Sequence, residues 1–395
     1  MVNLRQNRNL FIIALIAVVN ALGYGIIIPV VYSYAIRFGI NPFQYGLLFA
    51  TFSVCQFLST PIIGRLSDRF GRRPLLITSL SGTTISFIMM AFAPNAAFLF
   101  LARALDGITA GNIPVASAVI SDTTTEKERA KGFGIIGASF GFGFIFGPVI
   151  SGLTVGINPA LPFIIAAAIT LLATLLTWWL LPETNKHIGQ VSHDKLFNFS
   201  RLYHVLFEPN VGTTLIITLF YFTAFGMFIA IFQLFSKEIL HMTDQQISFL
   251  FTLFGIVGLL TQLFIVGRVT KWIGIKRAFT YSILFSAIAF AGMFFSTTIA
   301  LYVVASILLG MANSLVNPLT QTILSMETDE KNQGSVQGLN ASYMSIGQIV
   351  GPILGGVISS IFIPLPFLVA SFCVLLCFLL SFKVLRPDIK KEAIF

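Results

Sequence analysis

The sequence has few charged residues. Asp, Glu, Lys and Arg make up 10% of its 395 residues, whereas soluble domains carry about 25%. So few charges cannot cover a water-exposed surface, so lipid must face much of the chain. A soluble enzyme is therefore excluded, and we interpret the net charge of +9 as a signal of membrane topology rather than of nucleic-acid binding.

Cysteine and histidine are also scarce. The three cysteines (Cys55, Cys373 and Cys377) lie in apolar runs, and the four histidines lie in or near loops. These positions match neither a disulfide framework nor a zinc site. No Walker A motif is present, and a nucleophile-elbow match at 137–141 lies inside an apolar run without its strand-turn-helix context. We expect no enzymatic activity, no catalytic residues, no metal and no cofactor.

Long apolar runs are abundant, and a membrane span needs about 20 such residues. Twelve runs qualify: 10–34, 44–63, 75–93, 97–120, 131–155, 161–181, 211–235, 246–267, 278–296, 299–324, 335–360 and 364–383. Each should be helical, because lipid offers no partner to an open backbone. The predicted fold class is an all-α membrane protein with twelve transmembrane helices.

The first run follows Arg5 and Arg8, as a secretory signal would, but it is too long for one and we interpret it as a retained span. If the N-terminus is cytoplasmic, all of the 24 lysines and arginines except Arg37, Lys237 and Arg103 fall in segments on the cytoplasmic side. Positively charged loops remain inside the cell. We therefore expect cytoplasmic termini and a multi-pass protein of a bacterial-type inner (plasma) membrane.

An internal repeat divides the chain. GRLSDRFGRR at 64–73 aligns with GRVTKWIGIK at 267–276, and GPVISG at 147–152 aligns with GPILGG at 351–356. We predict an N-terminal six-helix bundle at 1–181, a cytoplasmic linker at 182–208 and a C-terminal six-helix bundle at 209–395. Parallel repeats of this kind place a substrate path at their interface, where the halves rock about a central site.

The loop between spans two and three is the first motif that carries chemistry. Its glycines turn the chain tightly, and its charges can pair with neighbouring helix ends. The loop resembles the signature G-x-x-x-D-R-x-G-R-R of the major facilitator superfamily, in which it holds the outward-facing state. The resemblance implies the fold of two pseudo-symmetric six-helix bundles. It also implies a gating loop made of Gly64, Asp68, Arg69, Gly71, Arg72 and Arg73.

Span four contains Arg103 and Asp106, three residues apart and so on one helix face. A charge at mid-membrane costs about 2.5–3.5 kcal/mol on insertion scales, which makes it a functional candidate. Arg103-x-x-x-Gly107 resembles the helix-four motif of proton-coupled drug antiporters, which implies proton coupling by Arg103 and Asp106. We expect the pair to line a passage between the bundles. The alternative is a self-neutralising pair that only stabilises helix packing.

Span five contains Gly143, Gly147, Pro148 and Gly152. This resembles the antiporter motif G-x-x-x-G-P-x-x-G-G of exporters in the same superfamily, with Ser151 in place of one glycine. The motif is not found in the family's sugar importers, so it implies export. Small-residue helix packing is the alternative.

Span one resembles the first helix of tetracycline efflux proteins, L-D-x-x-G-x-G-L-I-x-P-V, but Asn20 stands where those proteins have Asp. An amide cannot carry a proton. Either Asp106 takes over proton coupling or the coupling differs. Polar residues within spans usually face the bundle interior, as substrate contacts or as interhelical hydrogen bonds. The predicted substrate cavity comprises Asn20, Tyr24, Gln56, Asn112, Gln233, Asn313 and Asn317.

Together these features predict a secondary active transporter that exports small amphipathic compounds, such as drugs of the tetracycline kind, in exchange for protons by alternating access. Its expected partners are a small-molecule substrate, protons and membrane lipid, without nucleic acid, and we expect a monomer. The alternatives are a metabolite or sugar importer or uniporter, a lipid translocator of the same fold, and a receptor or scaffold that does not transport.

Overall fold

The computed structural model describes residues 2–124, 126–185, 188–189, 199–208, 211–329 and 332–385. The predicted linker at 182–208 is therefore described only in part. Several predicted loop cations lie outside the described residues: Lys186, Lys195, Lys331, Arg386, Lys390 and Lys391. The same holds for the side chains of Arg5, Lys127, Arg129 and Lys131.

The described residues form helices and no strand. The α-helices are α1 Val2–Ile27, α2 Val31–Ala35, α3 Pro42–Phe70, α4 Arg72–Ala91, α5 Ala96–Thr109, α6 Asn112–Thr123, α7 Glu126–Thr154, α8 Leu161–Leu180, α9 Phe199–Val205, α10 Val211–Glu238, α11 Asp244–Leu260, α12 Val266–Ile273, α13 Ile275–Phe294, α14 Ile299–Met326, α15 Gln333–Ser359 and α16 Leu365–Leu385. A π-helical turn, Thr261–Ile265, joins α11 to α12. Within this part of the chain, twelve spans are long and apolar enough to cross a membrane, which confirms the predicted fold class.

Two predicted spans are interrupted. The first ends at Ile27 instead of near residue 34, and α2 begins after Pro29. The fourth divides at Ala110 and Gly111, four and three residues before Pro114. Proline has no N–H to donate and its ring clashes with the preceding turn. Both breaks therefore lie at prolines, within the spans 10–34 and 97–120 that were predicted as continuous helices.

The two halves repeat one close helix contact. Helix α1 packs on α7, where a Cβ atom on Gly147 would lie 2.9 Å from the Cα of Gly25. Helix α10 packs on α15 in the same way, since a Cβ on Gly351 would lie 2.8 Å from the Cα of Gly226. Such distances are available only to glycine. The repeat noticed in the sequence is therefore also a repeat of backbone packing.

The side of the bundle that carries the chain ends is here named the terminal face, and the opposite side the distal face. Near the distal face the halves meet closely. A Cβ on Gly46 of α3 would collide with the carbonyl oxygen of Pro352 in α15, and a Cβ on Gly152 of α7 would lie 3.1 Å from the Cβ of Ser248 in α11. The distal face is therefore closed.

Glycines of the same helices nearer the terminal face lack such close contacts. A Cβ added at Gly134 or Gly137 of α7, or at Gly334 or Gly338 of α15, would meet no described atom within 4 Å. The close contacts shown by these glycine positions are therefore found near the distal face.

Candidate functional site

Arg103 and Asp106 form a buried ion pair on α5. The Nη1 atom of Arg103 lies 2.8 Å from Oδ2 of Asp106, and the two residues are only 2% and 5% exposed. Their spacing of three residues puts both on one helix face, so the pair forms within α5 and needs no partner helix. The opposite charges compensate each other where neither could be solvated alone.

Aromatic rings surround the guanidinium of Arg103. Its Cζ atom lies 4.4 Å from the ring centroid of Phe52 and 5.9 Å from that of Phe49, both on α3. The negative face of an aromatic ring attracts a cation, more strongly where water is excluded. Phe49 and Phe52 were not among the predicted site residues, and only their spacing of three residues on one apolar helix could have suggested a shared face.

The pair lines a narrow pocket, in which the space open to a water-sized molecule is only about 20 Å³. The pocket walls come from α1, α3, α4 and α5, together with Ala110: Val19, Asn20, Gly23, Tyr24, Ile27, Phe49, Phe52, Thr83, Phe87, Arg103, Asp106 and Ala110. All of these belong to the N-terminal half. The pocket thus lies within one half, where aromatic and amide groups lie beside the charges. That the pair also lines a passage between the bundles stays a prediction.

Two of the predicted cavity residues connect α1 to neighbouring helices beside this pocket. Asn20 donates from Nδ2 to Oδ1 of Asn112 at 2.9 Å, and Tyr24 donates from its hydroxyl to Oε1 of Gln56 at 3.4 Å. Asn112 is 1% exposed and begins α6, just after the break in span four. At the start of α6, the side-chain amide of Asn112 is thus within hydrogen-bond distance of Asn20 on α1.

The C-terminal half contains a related polar contact. Tyr221 donates from its hydroxyl to Oδ1 of Asn313 at 3.2 Å and also lies 3.2 Å from Oγ of Ser286. Nearby on α14, the Oδ1 atom of Asn317 is buried and has no hydrogen-bond partner among the described residues. An unpaired buried acceptor is costly, which makes Asn317 a candidate for contact with a bound molecule.

Gln233 lies apart from both polar groups, in the distal closure. It is fully buried; its Oε1 accepts from the backbone N–H of Tyr32 at 2.7 Å and its Nε2 donates to Ser33 at 3.1 Å. Tyr32 also donates from its hydroxyl to Glu238 at 3.0 Å. Burial, and then the nearby Glu238 carboxylate, raise the pKa of the Tyr32 hydroxyl, so this group remains a donor at neutral pH.

A second part of the distal closure is centred on Ser33. Lys237 donates from Nζ to Ser33 at 2.5 Å and to Oδ1 of Asp244 at 3.1 Å, and the Ser33 hydroxyl donates to the same carboxylate. From the sequence, Lys237 was predicted only to be one of the few cations outside the cytoplasmic segments. Its pairing with Asp244, seven residues later, crosses the loop between α10 and α11 and has no helical spacing to reveal it.

The predicted gating loop forms a charge network inside the N-terminal half. Gly71 has a φ of 103°, a region that favours glycine, and it turns the chain from α3 into α4. Arg72 lies 2.5 Å from Oδ1 of Asp68 and 3.3 Å from Oδ2 of Asp122 at the end of α6. Glu183 accepts from the backbone N–H of Arg72 at 2.9 Å. Arg72 thus connects three chain segments.

The other predicted members of the loop take different positions. The guanidinium of Arg69 lies 5.1 Å from the ring of Phe70, and the backbone N–H of Arg73 donates to Glu183 at 3.1 Å. A Cβ on Gly64 would meet nothing within 4 Å among the described atoms. The charged contacts therefore gather at the end of α3, while Gly64 stands in open space.

The predicted antiporter motif lies where α7 meets two helices. Gly143, Gly147 and Pro148 face α1, and Gly152 faces α11 in the other half. Ser151, which replaces a glycine of the motif, donates to the carbonyl oxygen of Ile26 at 3.0 Å. The hydroxyl thus satisfies a carbonyl near the end of α1, so the substitution adds an interhelical hydrogen bond at a point of close packing.

Comparison with known proteins identifies the relatives of this architecture. A family model described as Major Facilitator Superfamily matches residues 13–207 and 214–394. The chain is 31% identical over 360 residues to the class C tetracycline resistance protein of Escherichia coli, covering 89% of each. It is also 31% identical over 379 residues to multidrug resistance protein 2 of Bacillus subtilis, covering 94% of each.

Solved structures show the same fold at low sequence identity. The human organic anion transporter MFSD10 superposes with a TM-score of 0.72 at 20% identity, covering 95% of this chain and 99% of that one. A bacterial homologue of the human lysosomal transporter Spinster, solved in an inward-facing and occupied conformation, gives 0.78 at 14% identity, with 95% and 96% covered. At these identities the likeness concerns the fold alone.

Proposed function

Because the chain belongs to the Major Facilitator Superfamily, and so is a multi-pass membrane transporter rather than an enzyme, we propose that it exports small amphipathic compounds in exchange for protons. The observation that carries the proposal is the Arg103–Asp106 pair, two opposite charges 2.8 Å apart that are both buried within a membrane span. Ionisable groups inside a membrane protein usually serve transport or proton transfer. The relatives named for tetracycline and multidrug resistance support export of drug-like substrates.

Asp106 is the proposed proton carrier. When it is ionised, the pair with Arg103 is neutral overall; when it binds a proton, the pocket gains one positive charge. That charge is the guanidinium of Arg103, and the ring faces of Phe49 and Phe52 stabilise it. Because Asn20 and Tyr24 of α1 line the same pocket, the change in charge acts on the helix that packs against α7. Helix α7 in turn contacts α11 of the other half at Gly152, and through this contact protonation is linked to the packing of the two halves.

Substrate would occupy the space between the halves, separate from the proton pocket. Asn317, with its unpaired buried oxygen, is the proposed hydrogen-bond acceptor for a donor group of the substrate. The polar residues of the two halves, Gln56 and Asn313, would add weaker contacts. Separate sites mean that proton and substrate need not compete for one carboxylate, so coupling must pass through the conformation of the protein.

The gating loop and the distal closure would stabilise opposite states. In the state described above, the distal face is closed by Lys237, Asp244 and Ser33, and Arg72 is paired within its own half. In the other state the distal contacts would break and the gating loop would contact the C-terminal half. Alternation between these states moves substrate from the terminal face to the distal face.

This direction requires the terminal face to be cytoplasmic, as the positive loops indicate. We propose a bacterial-type inner membrane, with both termini in the cytoplasm, and a monomer as the working unit. The repeat supplies both halves of the path from one chain, so no second copy is needed to complete it.

The test is transport by the purified chain in proteoliposomes, using a panel that includes tetracycline, lipophilic cations and a sugar. A proton gradient should drive export of at least one amphipathic compound, and Asp106→Asn should abolish this while retaining substrate counterflow, which needs no net proton movement. The matched control is Asp329→Asn, which removes an exposed carboxylate outside the spans. Full gradient-driven export by Asp106→Asn would refute the proton-carrier assignment, and sugar uptake alone would favour the importer alternative.

A further inference from the structure

The second copy of the gating loop differs from the first in its charges. In the alignment of 64–73 with 267–276, Lys271 stands at the position of Asp68 and Trp272 at the position of Arg69. The acidic residue that pairs with Arg72 in the first copy is therefore a cation in the second. A network like that of the N-terminal half cannot form there, and the second loop must have other partners.

The N-terminal loop has three acidic partners, Asp68, Asp122 and Glu183, which bind its arginine side chains or backbone. In the second loop, Glu327 is the described acidic partner; it lies 3.9 Å from Lys276, and its side chain is 1% exposed. Among the described residues, no carboxylate lies within ion-pair distance of Arg268, Lys271 or Arg277. Arg268 donates from Nη1 to the carbonyl oxygen of Phe264 at 2.6 Å, which leaves its charge without a described carboxylate. Arg268, Lys271 and Arg277 thus form a cationic surface without a described counter-charge.

The shape of this surface suits the edge of a bilayer. Arg268, Lys271 and Trp272 are exposed on α12, with Trp272 83% exposed. One turn toward the membrane centre, Leu263 and Phe264 of the π-helical turn are also exposed. The end of this helix therefore exposes two cations and an indole, and the turn before them exposes two apolar side chains.

We propose that Arg268, Lys271 and Trp272 bind the phosphate headgroup of an anionic phospholipid, with the acyl chains against Leu263 and Phe264. Tryptophan favours the headgroup level of a membrane. Each cation at the surface contributes about 1 kcal/mol of attraction to anionic lipid, and here no described carboxylate competes for Arg268 or Lys271. A soluble phosphate would satisfy the cations but would make no use of the indole or of the apolar turn beside them.

The experiment uses the full chain with Trp178→Phe and Trp179→Phe, which leaves Trp272 as the remaining tryptophan of three. The protein is reconstituted in phosphatidylcholine vesicles that contain equal fractions of either brominated phosphatidylglycerol or brominated phosphatidylcholine. We expect brominated phosphatidylglycerol to quench Trp272 fluorescence more strongly. Arg268→Gln with Lys271→Gln should lower this lipid preference, by roughly fivefold for each cation removed, and high salt should lower it as well.

The matched control is Lys383→Gln, which removes an exposed cation from the end of α16 on the same face and should leave the preference unchanged. Equal quenching by the two lipids would overturn the proposal, as would a preference that survives loss of both cations. Displacement of the lipid by inorganic phosphate would also overturn it, because it would identify a site for a free anion. Retention of phosphatidylglycerol by the protein with all three tryptophans, measured by native mass spectrometry, tests the same point without the background substitutions.

Discussion

Asn20 donates a hydrogen bond to Asn112 at 2.9 Å, and the two residues are separated by 92 positions in the chain. The same separation of 92 positions joins Tyr221 to Asn313 in the other half. The first helix and the fourth span of each bundle are thus connected at equivalent points. Among the described residues, the N-terminal half alone adds an ion pair beside this contact, which makes the two halves unequal in charge although alike in packing.

We predict that Asn20→Leu will lower the thermal unfolding midpoint of the detergent-purified protein. The substitution leaves the amide of Asn112 buried without its partner, at a cost of about 1–3 kcal/mol. Asn20→Asp should cost less, because the Asn112 amide can reverse and donate from its Nδ2, which has no partner at present. If both variants unfold at the midpoint of the unaltered protein, the contact contributes nothing to stability.

Arg103 and Asp106 should be strongly coupled in a double-mutant cycle. Arg103→Met or Asp106→Leu alone leaves an unpaired buried charge. Each should lower the free energy of unfolding by about 3–5 kcal/mol. The double variant should lose much less than the sum of the two, because an apolar pair of similar volume carries no charge to solvate. Denaturant-induced unfolding in detergent gives the values. Additive losses would mean that the two charges act independently despite their contact.

The distal closure should depend on the charge at Lys237. We expect Lys237→Gln to shift the protein toward states open at the distal face, and Lys237→Arg to retain the closed state, because it keeps a cation near Asp244. The measurement uses spin labels at Arg37 and Ile239, which are exposed residues on opposite halves. Double electron–electron resonance should give longer distances between the labels in Lys237→Gln than in the protein with Lys237. The native cysteines at 55, 373 and 377 are replaced first.

The pair of Lys237 and Asp244 is partly exposed, and such pairs contribute about 1 kcal/mol or less. The predicted change is therefore a redistribution of populations of up to about fivefold, rather than complete opening. Identical distance distributions for the glutamine and arginine variants would show that the charge has no part in closure.

Glycine packing gives a prediction with a control on the same helix. Gly147→Ala should reduce folded protein in the membrane, because its Cβ would lie 2.9 Å from the Cα of Gly25 and overpacking costs about 1–3 kcal/mol. Gly137→Ala, on the same helix with no described atom within 4 Å, should have no such effect. Size-exclusion yield and unfolding midpoint are the measurements, and equal behaviour of the two variants would contradict the packing argument.

The interruptions at Pro29 and Pro114 show where sequence reasoning about the fold stopped. Length and apolarity predict that a run crosses the bilayer, because lipid imposes that requirement on any chain. Whether a proline bends a span or ends it depends on the groups that satisfy the freed carbonyls, and those come from other helices. The twelve spans could therefore be predicted, but not the separate α2 or the short helix α6.

The candidate site, too, could be predicted from the sequence only in part. The cost of a charge in lipid and the spacing of three residues single out Arg103 and Asp106 from the sequence. Neither the rings of Phe49 and Phe52 nor the closure by Lys237 and Asp244 could be found there, because these contacts join residues without a common periodicity.

The sequence by itself determined that this chain crosses a membrane twelve times, is internally duplicated and carries one acid–base pair deep in a span. Each of these follows from local properties: hydropathy, repetition and helical spacing. Only the tertiary structure decided that the rings of Phe49 and Phe52 lie beside Arg103, and that the distal face is closed. Both depend on how helices far apart in the chain rotate and pack against one another, and a one-dimensional pattern does not contain that information.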